Sequence, residues 1–127
     1  MKVAAMSYRV PSRIMTNSDM IAMVDRLNPE VSRVRKAVYL RAVDTLFGRL
    51  GAKTRHVRDV AGGEKAADLI LGAMDDALAR AGMAPEDIDL LIYCGVGRGF
   101  LEPANAYFYA RARGMRATNC FDITDAS

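Results

Sequence analysis

The run Asp89-Leu90-Leu91-Ile92-Tyr93-Cys94-Gly95-Val96 constrains this chain more than any other segment. It is apolar without alternation, so it reads as a strand buried on both sides. A strand covered on two faces needs helices above and below it. The neighbouring patterns supply them. Between residues 64 and 81, Ala66, Ala67, Leu69, Ile70, Ala73, Met74, Ala77, Leu78 and Ala81 fill a broad apolar face, and Gly82 ends the predicted helix. Small side chains on that face allow close packing on a sheet or a second helix. Pro85-Glu86-Asp87 is a turn before the strand, and the Gly-rich residues 95–99 lead into a helix predicted from about 103 to 113. Residues 118–123, Thr-Asn-Cys-Phe-Asp-Ile, form the last predicted strand.

Upstream, residues 2–8 suit a first strand closed by Pro11. Thr16-Asn17-Ser18-Asp19 is a helix start, with a capping side chain followed by an acid in the first turn. That helix is predicted to end near Asn28-Pro29, because a proline disfavours helical geometry in the residue before it. A second helix is predicted from about Pro29 to Leu50, with Gly51 as its stop. The order β-α-α-α-β-α-β indicates α/β layering. At 127 residues there is length for one domain and not for two. The predicted core strand at the end of the chain lacks a covering element, so residues 1–127 are read as a piece of a larger protein.

Composition narrows the function classes. Apolar residues make up 51% and charged residues 26%, the balance of a globular rather than a disordered chain. The formal charge of +3 is spread along the sequence, whereas a nucleic-acid binder favours a basic stripe with interleaved aromatics. No apolar run approaches the roughly 20 residues of a membrane span. The N-terminus meets Tyr8, Arg9 and Pro11 too early for a signal peptide. Cys94 and Cys120 have no metal-ligand spacing and read as small buried hydrophobes. His56, without companions at ligand spacing, reads as a surface residue, and no metal site is expected. Gly95-Val96-Gly97-Arg98-Gly99 is not a phosphate loop, since it lacks the terminal Gly-Lys-Ser/Thr. Residue patterns alone therefore reach an α/β domain fragment and stop.

Five phrases, in order along nearly the whole chain, carry a resemblance. Val10-Pro11-Ser12-Arg13-Ile14-Met15-Thr16-Asn17 is similar to the helix entry of the ketoacyl synthase III enzymes, a branch of the thiolase superfamily. Arg49-Leu50-Gly51-Ala52-Lys53-Thr54-Arg55-His56 resembles their "R-T-G-I-x-x-R" segment. Pro85-Glu86-Asp87-Ile88-Asp89 before an apolar strand resembles their most repeated phrase. Leu101-Glu102-Pro103-Ala104-Asn105-Ala106 resembles the helix start after their Gly/Thr-rich loop. Residues 120–127, Cys-Phe-Asp-Ile-Thr-Asp-Ala-Ser, resemble "a-F-D-v-x-x-A-C", whose final Cys is the nucleophile at a sharp strand-to-helix turn.

The resemblance implies part of the N-terminal half of a layered αβαβα thiolase-like fold. It implies Claisen condensation of two acyl thioesters through an acyl-enzyme, with acyl-CoA or acyl carrier protein as substrate and no permanently bound cofactor. A cytoplasmic homodimer is the implied assembly. The nucleophile is activated at a helix N-terminus, and a His and an Asn beyond this chain assist the second thioester. The remaining C-terminal part of the same enzyme is thus an implied partner.

Site residues carry over one by one. Ser127 stands where the nucleophilic Cys belongs, and a serine hydroxyl stays protonated near neutral pH unless a base takes its proton. An engineered replacement, a natural serine, and a sequence cut or misrecorded at this point are the three accounts of it. Arg49 matches an arginine that holds the phosphate-bearing end of coenzyme A, a task suited to a permanently charged fork; its alternative is a helix-end cation facing the dipole. Arg55 matches a structural arginine. Thr45 occupies the place of an aromatic that stacks on the adenine, and Phe47 reads as core. Glu102 replaces a large apolar residue and resembles the branch that joins two long fatty acyl chains, where a glutamate from the neighbouring subunit acts as base. Its alternative is an acid at a helix N-terminus ahead of Pro103. Two rival functions share the fold: an acyltransferase forming an oxygen ester on Ser127, and a non-catalytic partner subunit.

Overall fold

The computed structural model describes residues 2–95, 99 and 102–123. The chain folds as two compact units, Val10–Lys65 and the combination of Met1–Arg9 with Ala66–Ser127.

Val10–Lys65 holds β1 (Arg13–Thr16), α1 (Asn17–Leu27), α2 (Arg33–Leu50) and β2 (Thr54–Val57). The start of α1 follows from four residues. Thr16 Oγ1 accepts from the Asp19 N–H at 3.2 Å, and Asp19 Oδ2 accepts from the Thr16 N–H at 2.8 Å, a reciprocal capping box. At the other end, Asn28 Nδ2 donates to the Val24 carbonyl at 2.7 Å. Helix α2 ends at Gly51, whose φ of +71° is left-handed backbone open to glycine at little cost. Its start lies at Arg33 rather than near Pro29, with Ser32 at the cap position. The two short strands, unforeseen in the sequence, pair antiparallel from Arg13↔Val57 to Thr16↔Thr54. Met15 on β1, 2% exposed, is the buried apolar residue of this unit.

The second unit is built around a β-α-β crossover. Helix α3 (Ala66–Ala81) stops at Gly82, with φ +66°, and a single 3-10 turn at Pro85–Asp87 leads into β3 (Leu90–Cys94). Helix α4 (Asn105–Ala112) then returns the chain to β4 (Asn119–Ile123), parallel to β3 from Leu90↔Asn119 to Cys94↔Ile123. Ala106, Ala110, Met115 and Cys120 form the buried cluster, and Met74, Leu78, Ile88, Leu91 and Tyr93 pack against it.

Three expectations change here. Residues 2–8 form no strand; a strand exists only as a member of a ladder, and none pairs with them among the described residues. This segment is tied to α3 instead, through Arg80 donating to the Met6 carbonyl at 2.9 Å and Arg9 gripping Asp76 through two bonds of 2.7 and 2.8 Å. The helix expected from 103 begins at Asn105. Finally, β3 is covered on one face. Leu91 and Tyr93 pack toward the cluster, while Leu90 and Ile92 stay exposed, as do their β4 neighbours Phe121 and Ile123. One apolar sheet face is therefore open.

Candidate active site

The start of α4 is where sequence and structure concentrate polar groups. Asp122 sits near the end of β4, between the exposed Phe121 and Ile123. Its Oδ2 accepts from the Asn105 backbone N–H at 2.8 Å and from Asn105 Nδ2 at 3.0 Å. Its Oδ1 accepts from the Ala106 N–H at 2.9 Å. A carboxylate on a neighbouring strand thus caps α4, whose own cap position, Ala104, has no side-chain acceptor. Asn105 is 3% exposed, the buried polar residue of the described chain, and its Oδ1 accepts from the Gly99 N–H at 3.0 Å. A Cβ on Gly99 would approach that Oδ1 to 3.3 Å, so glycine suits the close approach.

Glu102 lies between those two anchor points. It is exposed, and its peptide bond to Pro103 is cis. Helix α4 starts three residues after Glu102, so the carboxylate precedes its first turn. On α4, Tyr109 stacks on Tyr93 of β3 with ring centroids 5.7 Å apart. Burial, with the nearby Tyr93 and the Asp122 charge, raises the Tyr109 phenol. Burial alone raises the Cys120 thiol, which keeps it a neutral core group. Cys120 fits its sequence reading; Cys94 is exposed, because it belongs to the open sheet face.

Arg49 stands in the last turn of α2, exposed, on a groove of about 460 Å³ lined by Val38, Arg41, Ala42, Thr45 and Leu46. The Thr45 hydroxyl donates to the Arg41 carbonyl at 2.8 Å, so it is engaged with its own helix. Arg55 donates to Asn17 Oδ1 at 2.7 Å and lies 4.0 Å over the centre of the Phe47 ring. Both contacts tie β2 to helix ends and agree with a structural part for this arginine. His56 Nδ1 donates to the Pro11 carbonyl at 2.7 Å from an exposed position, as a surface histidine can. Ser127 lies outside the described residues. Among the described residues no group of three or more His, Cys, Asp or Glu is placed to hold a metal ion, and no helix is long and apolar enough to cross a membrane.

Asn105 and Asp122 escaped the sequence reading. A signal was present for one of them: an aspartate inside an apolar strand must find partners, since an unpaired buried carboxylate is costly.

Over 124 residues the chain is 31% identical to the beta-ketoacyl-[acyl-carrier-protein] synthase III of Symbiobacterium thermophilum, covering 98% of this chain and 32% of that protein. The chain is similar in sequence to synthase III. It spans about a third of the length of the curated relatives it matches. The fold agrees: the synthase III structure from Aquifex aeolicus superposes with a TM-score of 0.69 at 19% identity, over 98% of this chain and 34% of that one. A cysteine-to-serine variant of Xanthomonas campestris OleA, solved with lauric acid and lauroyl-CoA, superposes with a TM-score of 0.71 at 21% identity, over 97% and 34%. No family model matches the chain. The β-α-β unit and its flanking helices are therefore a partial copy of the layered α/β thiolase fold of the synthase III structures.

Proposed function

We propose that residues 1–127 form the N-terminal part of a cytoplasmic, homodimeric acyl-thioester condensing enzyme. The observation that carries this reading is the sequence relationship to synthase III across 98% of the chain. The open apolar face of Leu90, Ile92, Phe121 and Ile123 supports it, because the remaining part of such an enzyme supplies a cover for that sheet. In this reading residue 127 attacks an acyl-CoA or acyl carrier protein thioester and takes the acyl group, and the carrier leaves as its thiol. Glu102, reaching into the site of the neighbouring subunit, removes a proton from the carbon beside the carbonyl of a second thioester. The resulting carbanion attacks the acyl-enzyme, the new carbon–carbon bond forms, and residue 127 departs. Arg49 holds a phosphate of coenzyme A at the mouth of the α2 groove.

The test is the intact protein, as it stands and as Ser127→Cys, incubated with lauroyl-CoA. The expected outcome is release of CoA thiol with a 3-oxo condensation product by mass spectrometry, faster in the Ser127→Cys protein because a thiolate is the stronger nucleophile. Thiol release at the buffer rate from both proteins overturns the reading. Arg49→Ala is expected to weaken binding of acyl-CoA by about 1.5–3 kcal/mol and that of acyl analogues lacking the nucleotide much less. Equal losses for both kinds of ligand assign Arg49 to folding.

A further inference from the structure

The hydrogen bonds around Asn105 have a consequence for Glu102. Asn105 is a buried side chain that uses both ends. Its Nδ2 is held by Asp122 Oδ2, and its Oδ1 holds the Gly99 N–H. The backbone that follows is held by the same carboxylate through the Asn105 and Ala106 N–H groups. Gly99 and Asn105, which flank Glu102 in sequence, are thereby bonded to each other, and Asn105 in turn to one aspartate of β4. A neutral amide suits the junction. It can donate to the carboxylate and accept from Gly99 at the same time, which neither an aspartate nor a leucine can do.

We infer that Asn105, anchored by Asp122, is a positioning residue that fixes where the Glu102 carboxylate is presented. The inference rests on the proposed condensing reaction, in which Glu102 moves a proton. A base held within hydrogen-bond reach of its target loses efficiency when its backbone is free to wander. Asp122 contributes by keeping the Asn105 side chain in the orientation that meets Gly99.

The experiment uses the intact protein with Ser127→Cys as background, to keep acyl loading fast. In that background Asn105→Ala removes the Gly99 tether and leaves the Asp122 bonds to the two backbone N–H groups in place. Hydrogen exchange read at the Gly99 amide is expected to quicken, while amides in the middle of α4 keep their protection. Acyl loading from lauroyl-CoA is expected to hold its rate. Condensation is expected to slow by about three- to tenfold, the worth of one hydrogen bond. In a Glu102→Gln protein the same Asn105→Ala change is expected to cost nothing further, because a residue acting through Glu102 has nothing left to position. An equal additional loss in that protein, or condensation unchanged by Asn105→Ala alone, overturns the inference. If the unchanged Ser127→Cys background gives no condensation product at all, the functional reading falls instead. In that case the tether is judged at the Gly99 amide, and unaltered exchange there overturns it too.

Discussion

Helices α2 and α4 reach the same conformation by opposite routes. Helix α2 has 18 residues, buries none of them, and leaves Val34, Val38 and Leu50 about two-thirds or more exposed. Length and propensity support it, with glycine at its end. Helix α4 has eight residues, well short of the roughly 12–15 at which an isolated helix becomes marginal in water. It persists because Ala106, Tyr109 and Ala110 are buried and because a carboxylate from another strand caps it. Helix α2 is thus supported by short-range signals, and helix α4 by contacts with residues more distant in sequence. The helix carried by long-range contacts is also the one beside the candidate site.

The harshest way to break that contrast is Asp122→Ala. Three hydrogen bonds at the start of α4 lose their acceptor, and the Asn105 amide is left buried without it. A loss of about 2–4 kcal/mol is expected, in the range for hydrogen bonds to a charged group with an unsatisfied partner. Chemical denaturation of the intact protein measures it, and hydrogen exchange should quicken in α4 while α1 is untouched. Ala106→Leu attacks the packing instead. Ala106 has no exposed surface, so the larger side chain should cost about 1–3 kcal/mol by the same denaturation assay. Thr16→Ala is the matching change in the first unit. Loss of the capping box should cost about 1 kcal/mol and quicken exchange in the first turn of α1, with α4 unchanged.

The smallest effects are expected from pH. The Thr16 backbone N–H and hydroxyl hold the Asp19 carboxyl below its ordinary 3.8, and the Arg9 guanidinium does the same for Asp76. Each carboxyl binds its proton less tightly folded than unfolded. Their stabilisation is therefore present above about pH 4 and lost as pH falls through the lower folded values. Both groups lie on the surface, so the slope is expected to be shallow and screened by salt. Stability measured from pH 6 down to pH 2 should show it, and Asp19→Asn should flatten the part reported by α1, Asp76→Asn the part reported by α3.

Local chemistry in the sequence accounts for much of this molecule. Thr16 and Asp19 announce α1, Gly51 and Gly82 end α2 and α3, and Pro85 marks the turn before β3. Each signal works between residues a few positions apart, so the chain obeys it without consulting the rest of the fold. The five phrases similar to synthase III add the fold class and the candidate positions Arg49, Glu102 and Ser127. Strands β1 and β2 were not legible, because Arg-Ile-Met-Thr and Thr-Arg-His-Val carry weak alternation and become strands only by pairing across some 40 residues of chain. The same reason defeats residues 2–8, where a strand-like pattern meets no partner strand among the described residues. The junction of Gly99, Asn105 and Asp122 also belongs to the tertiary structure alone. Nothing within a few residues of Asn105 calls for its burial; a parallel crossover brings an aspartate 17 residues onward against the start of its helix, and only there do the buried donors find their acceptor.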